Sequence, residues 1–403
     1  MKNKKTIIIV GAGMVGLATA VLLAKSNVSD RIEIKVLDAG TRPQFKYQSG
    51  ATLRVSAISL GTINMLSNIG IWESISRFRA CPYSKMFVWD AKNHTNDSEG
   101  IQFDAAEFGL TELGFIVENE LIQQALLNEI EEIGIEIKFA SRINNLSKIS
   151  GEWGYKIETS DGKFYSPDLL IGADGALSQV RESAGIATKS REYFQSAFVA
   201  MVKPENHHDN IARQRFLKNG PIALLPLQHG MLSIVWSTTP EDAEISMSCS
   251  DKELAKRLSI ASGYILGALD VHGPRASFPL KIQHANHYVL PGLALAGDAA
   301  HIIHPLAGQG VNLGFADAVS LAEVIAKAFS NGDHIGDLPL LRRYERQRKG
   351  ANMSMLYFVD GLNNLFLSNS KTIAAIRGIG THLFNHSGLI KRLTAEVALG
   401  IKI

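Results

Sequence analysis

Several things this sequence has little of bound what it can be. Only two cysteines occur in 403 residues, Cys81 and Cys249, with no CxxC and no metal-type spacing between them. That excludes a disulfide-stapled scaffold and predicts two free thiols in a reducing, cytoplasmic compartment. Charge of one sign is also scarce. The formal net charge is +2, with no concentrated basic field, so nucleic acid is not an expected partner. Twelve histidines show no HExxH and no paired spacing, and no metal site is expected. Internal repeats and low-complexity segments are absent. What remains is an ordinary globular balance of 46% hydrophobic and 20% charged residues.

Long apolar runs are equally rare. The exception follows Lys2, Lys4 and Lys5, where residues 7–24 carry no charge and Ala18-Thr19-Ala20 mimics a signal-peptidase site. The internal pattern reads differently. Ile7-Ile8-Ile9-Val10 is a β-branched burst suited to a buried parallel strand. It stops at three glycines and resumes as a helical stretch over 15–25. Strand, turn and helix therefore replace leader or anchor. A second strand at 32–37 completes a β–α–β unit and ends at Asp38.

Further along, apolar spacing predicts a helix over 56–75, a strand at 87–89, a helix over 118–133 and a strand over 135–139. Asp161-Gly162 between 155–158 and 163–165 signals a hairpin, and 169–172 reads as a buried strand. From about 194 to 278 the bursts shorten, as at 196–202, 222–227 and 232–236, which predicts an inserted sheet domain. The α/β style returns at 293–296, a long helix is expected over about 310–329, and the chain is helical in pattern from about 340.

Three motifs carry chemistry. Gly11-Ala12-Gly13-Met14-Val15-Gly16 fits GxGxxG, and Asp38 stands 22 positions beyond Gly16, near the offset of the dinucleotide fingerprint. Gly11 permits the tight turn, Gly13 lets backbone N–H groups approach a pyrophosphate, and Gly16 lets helix and strand pack closely. Asp38 suits the hydroxyls of an adenosine ribose. The second motif runs from Asp168 to Gly175, with Asp174, Ser178 and Arg181 at a helix start; a helix N-cap with a surface ion pair is the competing reading. The third runs Leu295-Ala296-Gly297-Asp298-Ala299-Ala300-His301 into His304-Pro305-Leu306-Ala307-Gly308-Gln309-Gly310-Val311-Asn312-Leu313-Gly314. It delivers an acid to a sheet edge and opens a helix whose free N–H groups suit an anion. Two such helix ends, far apart in sequence, suit one elongated cofactor, FAD, with its pyrophosphate at the first and the N1/O2 edge of the reduced flavin at the second.

Together these motifs resemble the para-hydroxybenzoate hydroxylase fold. The 304–314 string resembles the signature of the ubiquinone-biosynthesis flavin hydroxylases, as do Arg54-Val55-Ser56-Ala57-Ile58-Ser59, Gly114-Phe115-Ile116-Val117-Glu118-Asn119 and Leu341-Arg342-Arg343-Tyr344-Glu345-Arg346. The likeness covers nearly the whole chain. It includes both the C5 phenol hydroxylases, through 233–240 and His304, and the C6 benzoquinol hydroxylases, through 103–107 and the 389–400 tail. It implies an α/β fold with a Rossmann-like FAD-binding domain (1–75, 101–190 and 281–335), an inserted substrate-binding sheet domain (76–100 and 191–280) and a C-terminal helical region (336–403).

The resemblance also implies roles. Gly11, Gly13, Gly16 and Asp38 would hold the adenosine diphosphate half, Arg54 and Asp174 would lie near the cofactor and the nicotinamide approach, and Gly297 and Asp298 would meet the ribityl chain. Pro305, Gly308, Gly310, Val311 and Asn312 would line the flavin. NADH or NADPH would act as a transient reductant, because no second GxGxxG unit follows Asp38. Oxygen would then give a C4a-hydroperoxide attacked by a polyprenyl phenol or quinol. His304, Pro305, Gly308 and Gln309 are the catalytic candidates, mainly through backbone groups. His301 and His304 either orient the substrate or assist its deprotonation, or bond to loop backbone.

A greasy channel is expected from Phe216, Leu224, Leu225, Leu227, Ile234 and Trp236, with core packing as the competing reading. The tail mixes Ile373, Ile376, Leu383, Phe384, Leu389, Leu393 and Val397 with Lys371, Arg377, Lys391 and Arg392. It suits the inner membrane surface, other ubiquinone-pathway enzymes, or the protein's own core. A prenyl reductase and a non-catalytic prenyl-binding escort protein stand as alternatives, while the Trp-x-Trp-x-Ile-Pro signature of flavin halogenases is absent.

Overall fold

The computed structural model describes residues 4–45, 47, 50–91, 100–149, 154–304, 308, 310–367 and 387–400. Its centre is a six-stranded sheet. The order is Val289–Leu290, Leu293–Leu295, Leu169–Gly172, Lys5–Val10, Ile32–Leu37 and Glu136–Lys138, parallel except for the first pair. Parallel strands covered on both faces need apolar residues at nearly every position, and Ile7 through Val10 and Leu169 through Ile171 are all buried. The helices Met14–Ala24, Asn119–Ile133 and Gly310–Asn331 flank it. A small antiparallel sheet of Ile143–Lys148, Tyr155–Thr159 and Phe164–Tyr165 contains the expected hairpin, with Gly162 at φ +75° in its turn.

The second body is an eight-stranded sheet. Its order is His301–Ile302, Leu269–Ala285, Thr188–Pro204, Leu232–Thr238, Gly220–Pro226, Ile211–Leu217, Lys85–Asp90 and Ile101–Asp104. Residues 101–104, assigned by the sequence reading to the α/β body, pair with Lys85–Asp90 here. Two helices absent from that reading, Pro240–Ser248 and Asp251–Ser262, cover one face. Their signals were local: Thr239 accepts from the Asp242 N–H ahead of a helix opened by Pro240, and Ser250 accepts from the Glu253 N–H.

The helix expected over 56–75 is instead three elements. Val55–Ser59 is a strand, followed by the helices Leu60–Asn68 and Trp72–Arg79, with Gly70 at φ +81° between them. Pairing decides the strand: Val55–Ser59 runs antiparallel to Gly114–Glu118, which also takes Ala80–Tyr83 on its other edge. This three-stranded sheet meets the uncovered face of the large sheet through Ile116, Met201 and Leu227.

The C-terminal part contains the helices Leu338–Leu367 and Leu389–Ala398. The second is tied back by Lys391 to Glu107 at 2.6 Å and by the Gly61 N–H, which donates to Leu399 O at 2.9 Å. Leu399 is buried beside Ala105 and Leu113, whereas Leu393 and Val397 face outward. Lys371, Ile373, Ile376, Arg377, Leu383 and Phe384 lie outside the described residues.

Candidate active site

The first glycine turn is built by contact distances. A Cβ on Gly16 would lie 2.0 Å from Gly11 O, and one on Gly11 would lie 2.3 Å from Ala173 O. Neither position accepts a side chain. Gly13 differs, since its Cβ would meet nothing within 4 Å. It faces the open mouth of a cleft of about 640 Å³ lined by Gly11, Gly13, Asp38, Ser141, Arg142 and Asp174, among others. The helix that starts there has no side-chain cap and no acidic residue in its first turn. Its free N–H groups and positive dipole end are therefore available to an anion.

Asp38 holds the neighbouring loop, accepting from Ala12 N at 2.6 Å and Gly40 N at 2.7 Å. Ser141 was not singled out from the sequence, because serines at strand ends are common. It is buried in the cleft wall, its N–H donates to Asp38 O, and its hydroxyl has no partner among the described residues. An unsatisfied buried hydroxyl costs about 1–3 kcal/mol, and a ligand in the cleft would relieve that cost. A polar rim, an unpartnered hydroxyl and an uncapped helix fit the adenosine diphosphate part of a dinucleotide.

Asp174 takes the helix-cap part of the competing reading but makes no salt bridge with Arg181 among the described residues. It accepts from Ser178 Oγ and from Val180 N at 3.0 Å, capping the helix Gln179–Ser183 while its residue lines the cleft. Arg181 is buried and donates to Ala299 O at 2.9 Å and Ala176 O at 3.1 Å, bracing the second motif against the third.

The third motif is locked to the first through one valine. Val15 sits between Gly297 and Gly314, whose added Cβ atoms would fall 3.1 Å and 2.6 Å from Val15 Cγ2. Gly297 also needs φ +62°. Asp298 therefore emerges beside the first helix, with its side chain open to solvent. Desolvation by the surrounding protein raises its carboxyl above the ordinary range, while His301 and Arg54 oppose that rise and Asp317 adds to it. Arg54 is exposed, lies 5.6 Å over the Phe278 ring and makes no salt bridge among the described residues. Gly308, at φ +63°, approaches the strand Val55–Ser59 so closely that a Cβ would lie 3.0 Å from Ala57 Cβ. Gly310 and Val311 open the long helix and are half-buried. The side chain of Asn312 is spent on protein: its Oδ1 accepts from Ser59 N at 3.1 Å and Thr62 Oγ1 at 2.9 Å, and its Nδ2 donates to Ala57 O at 2.8 Å. Pro305, Leu306, Ala307 and Gln309 lie outside the described residues.

Neither histidine reaches the cleft as a free base. His301 is buried and bonds the Asp317 carboxylate at 2.6 Å, not loop backbone. His304 is buried edge-on to the Tyr193 ring at 4.8 Å, and burial lowers its pKa to about 4 against the opposing pull of Asp360. Behind Gly297 lies a polar network that sequence reasoning missed. Asp317, fully buried, accepts from Gly297 N at 3.0 Å, His301 Nε2, Arg348 Nε at 2.8 Å and Asn352 Nδ2 at 3.2 Å. Burial alone would raise its pKa, but His301 and Arg348 overcome that and hold the carboxyl below its usual range. The network continues through Asn352 to the Tyr288 hydroxyl, which contacts His284 Nε2 at 3.0 Å.

The expected channel residues divide by strand alternation. Leu224, Ile234 and Trp236 pack under the two covering helices, and Phe216 packs with Val359. Those four are core. Leu225 and Leu227 point the other way and join Ile116, Met201, Met231, Leu53, Ala57 and Tyr83 in an apolar cluster between the two sheets. Ala57 links that cluster to Gly308, and Leu227 also borders a surface cleft of about 370 Å³. No helix among the described residues is long and apolar enough to cross a membrane.

A Rossmann-like body with two glycine-rich helix starts, joined to a sheet that walls off an apolar cluster, has the fold of flavin-dependent monooxygenases. Comparison with known proteins agrees. The family model described as "FAD binding domain" matches residues 4–359, and the chain belongs to that family. It is 34% identical to 3-demethoxyubiquinol 3-hydroxylase of Escherichia coli (strain K12) over 407 residues, covering all of both chains. It is also 34% identical to the Homo sapiens mitochondrial ubiquinone biosynthesis monooxygenase COQ6, covering 94% of this chain and 89% of the relative. Among solved structures, p-nitrophenol 4-monooxygenase PnpA from Pseudomonas putida DLL-E4 superposes with a TM-score of 0.78 at 17% identity, covering 100% of each chain. Klebsiella pneumoniae HpxO complexed with FAD and uric acid gives 0.74 at 18% identity, over 99% of this chain and 98% of that one. The protein is an FAD-dependent monooxygenase.

Proposed function

We propose that this monooxygenase hydroxylates the ring of a polyprenylated phenol or benzoquinol in ubiquinone biosynthesis, with NADH or NADPH as reductant. The observation that carries the reading is the placement of the apolar cluster against Ala57, and so against Gly308 at the flavin end of the cradle. The names of the two full-length relatives support the substrate class.

In this reading the six-stranded body holds the cofactor and the eight-stranded body holds the substrate. When bound, FAD supplies hydride acceptance and oxygen activation; the chain supplies position and field. Gly11 and Gly16 shape the turn, Gly13 admits the pyrophosphate, and Asp38 and Ser141 meet the adenosine. Asp174 fixes the turn beside them through its cap. Gly297 presents Asp298 to the ribityl hydroxyls, and Arg54 places a cation over the same region. The start of the long helix at Gly310 and Val311 offers N–H donors to negative charge on the ring system, while Asn312 pins that helix start to Ala57 and Ser59. Gly308 keeps the approach to the ring free of a side chain. Burial keeps the His304 imidazole in its neutral form at pH 7, and it serves as packing against Tyr193. The prenyl tail runs along Leu225 and Leu227 toward the surface cleft at Leu227.

Purified protein should be yellow, carry one FAD per chain, and consume NAD(P)H and oxygen together when given a prenylated phenol, with a hydroxylated ring detected by mass spectrometry. Equal consumption without oxygen and a saturated tail would favour a prenyl reductase. A colourless protein that still binds the phenol would favour the escort reading. The same reading puts the protein peripherally on the membrane surface through the outward Leu393 and Val397 beside Arg392. Flotation with anionic vesicles tests that placement, and loss of flotation in Leu393→Ser/Val397→Ser is the expected result.

A further inference from the structure

Ser233 breaks the apolar character of the wall that faces the cofactor body. It lies in the strand Leu232–Thr238, where Leu232, Ile234 and Trp236 point to the covering helices, so alternation turns Ser233 to the opposite face. The sheet register seats it between Met201 on one neighbouring strand and Leu225 on the other. Directly paired residues share a face, and Met201 and Leu225 both belong to the apolar cluster that meets Ala57. Ser233 is fully buried, and its hydroxyl has no hydrogen-bond partner among the described residues.

An alanine would fill the same space without a buried polar atom that lacks a partner among the described residues. The residues around it are adaptable. Met201 and Met231 are unbranched and repack readily around an incoming ring. Resting on the substrate class proposed above, we infer that Ser233 hydrogen-bonds the ring oxygen of the phenol or quinol and orients the ring toward the flavin. It is a positioning residue: it reads an oxygen on the ring and fixes which ring carbon faces the cofactor.

The test compares two probes, 2-geranylphenol and geranylbenzene, by calorimetric titration of FAD-loaded wild type, Ser233→Ala and Ser233→Thr. A site built to pair a hydroxyl rejects the analogue lacking it. Wild type should bind the phenol about tenfold more tightly than the arene, and Ser233→Ala should bring the ratio close to one. Ser233→Thr, which keeps the hydroxyl, should restore the preference. The melting temperature of unliganded Ser233→Ala should equal or exceed that of wild type, which a structural role would not give. Hydroxylated product per NAD(P)H should fall in Ser233→Ala with flavin content unchanged. Equal discrimination in wild type and Ser233→Ala would overturn the role of Ser233 and leave the substrate class standing. A wild type that binds neither probe would overturn the substrate class, and this inference with it.

Discussion

Replacing Asp317 with alanine should destabilise the protein, although the residue does not line the cleft. Its carboxylate is fully buried and takes four hydrogen bonds, from Gly297, His301, Arg348 and Asn352. Removing it leaves the Arg348 guanidinium, only 3% exposed, without its carboxylate partner. Breaking a buried pair this way costs about 3–5 kcal/mol. Unfolding entropy of roughly 2.1 cal/mol/K per residue over 403 residues gives about 0.85 kcal/mol/K, so the melting temperature should drop by about 4–6 °C. The pH sign follows from the lowered carboxyl pKa: the contribution is complete above the unfolded value near 3.9 and fades as pH falls through the lower folded value. The deficit should therefore be full at pH 7. Circular dichroism melts of the cofactor-free protein measure it. A drop below 1 °C would refute the assigned weight of the network. The double variant Asp317→Leu/Arg348→Met should recover part of the loss, because an apolar pair avoids the stranded charge.

Four further outcomes follow from the same geometry. Gly13→Ala should fold and melt like wild type without cofactor but retain little FAD, whereas Gly16→Ala, with its Cβ 2.0 Å from a backbone oxygen, should fail to yield folded protein; flavin content and melting curves separate the two. Ser141→Ala should weaken FAD by roughly fivefold to tenfold, read by fluorescence titration, without loss of stability. Gly314→Ala should be destabilising and partly rescued by Val15→Ala, which removes the Cγ2 that its new methyl strikes; a double-mutant cycle gives the coupling. Acid should weaken the fold between pH 6.5 and about 4, since burial depresses His304 and His284 to about 4 and the unfolded chain binds those protons first. Each contributes up to about 1.4 kcal/mol per pH unit in that window, and His304→Gln should flatten the acid limb of a urea-denaturation series.

The parts that were legible in the sequence are those fixed by local stereochemistry. A glycine turn between a β-branched strand and a helix has few other solutions, so Gly11, Gly13, Gly16 and Asp38 could be read directly. The failures share a cause. Ser56–Ser59 has helical spacing, but a partner strand nearly sixty residues away claims it. Leu224 and Leu225 are adjacent and equally greasy, and only the sheet's alternation decides which faces a helix and which faces the cofactor body. Asp317 looks like an ordinary polar residue on a long helix until Arg348 arrives from the next one. Long-range pairing is invisible to a short window, and the polar network depends on it entirely.

The Val15 wedge has a consequence in time. Its contacts at Gly297 lie 282 positions downstream, and at roughly 5–20 residues per second of synthesis that is a wait of roughly 15–55 s. Until then the glycine turn stands without the segment that packs on Val15. With the cofactor held as proposed, its capture is a late event in the life of each chain. A shortage of flavin would strand nearly finished molecules rather than halt early ones.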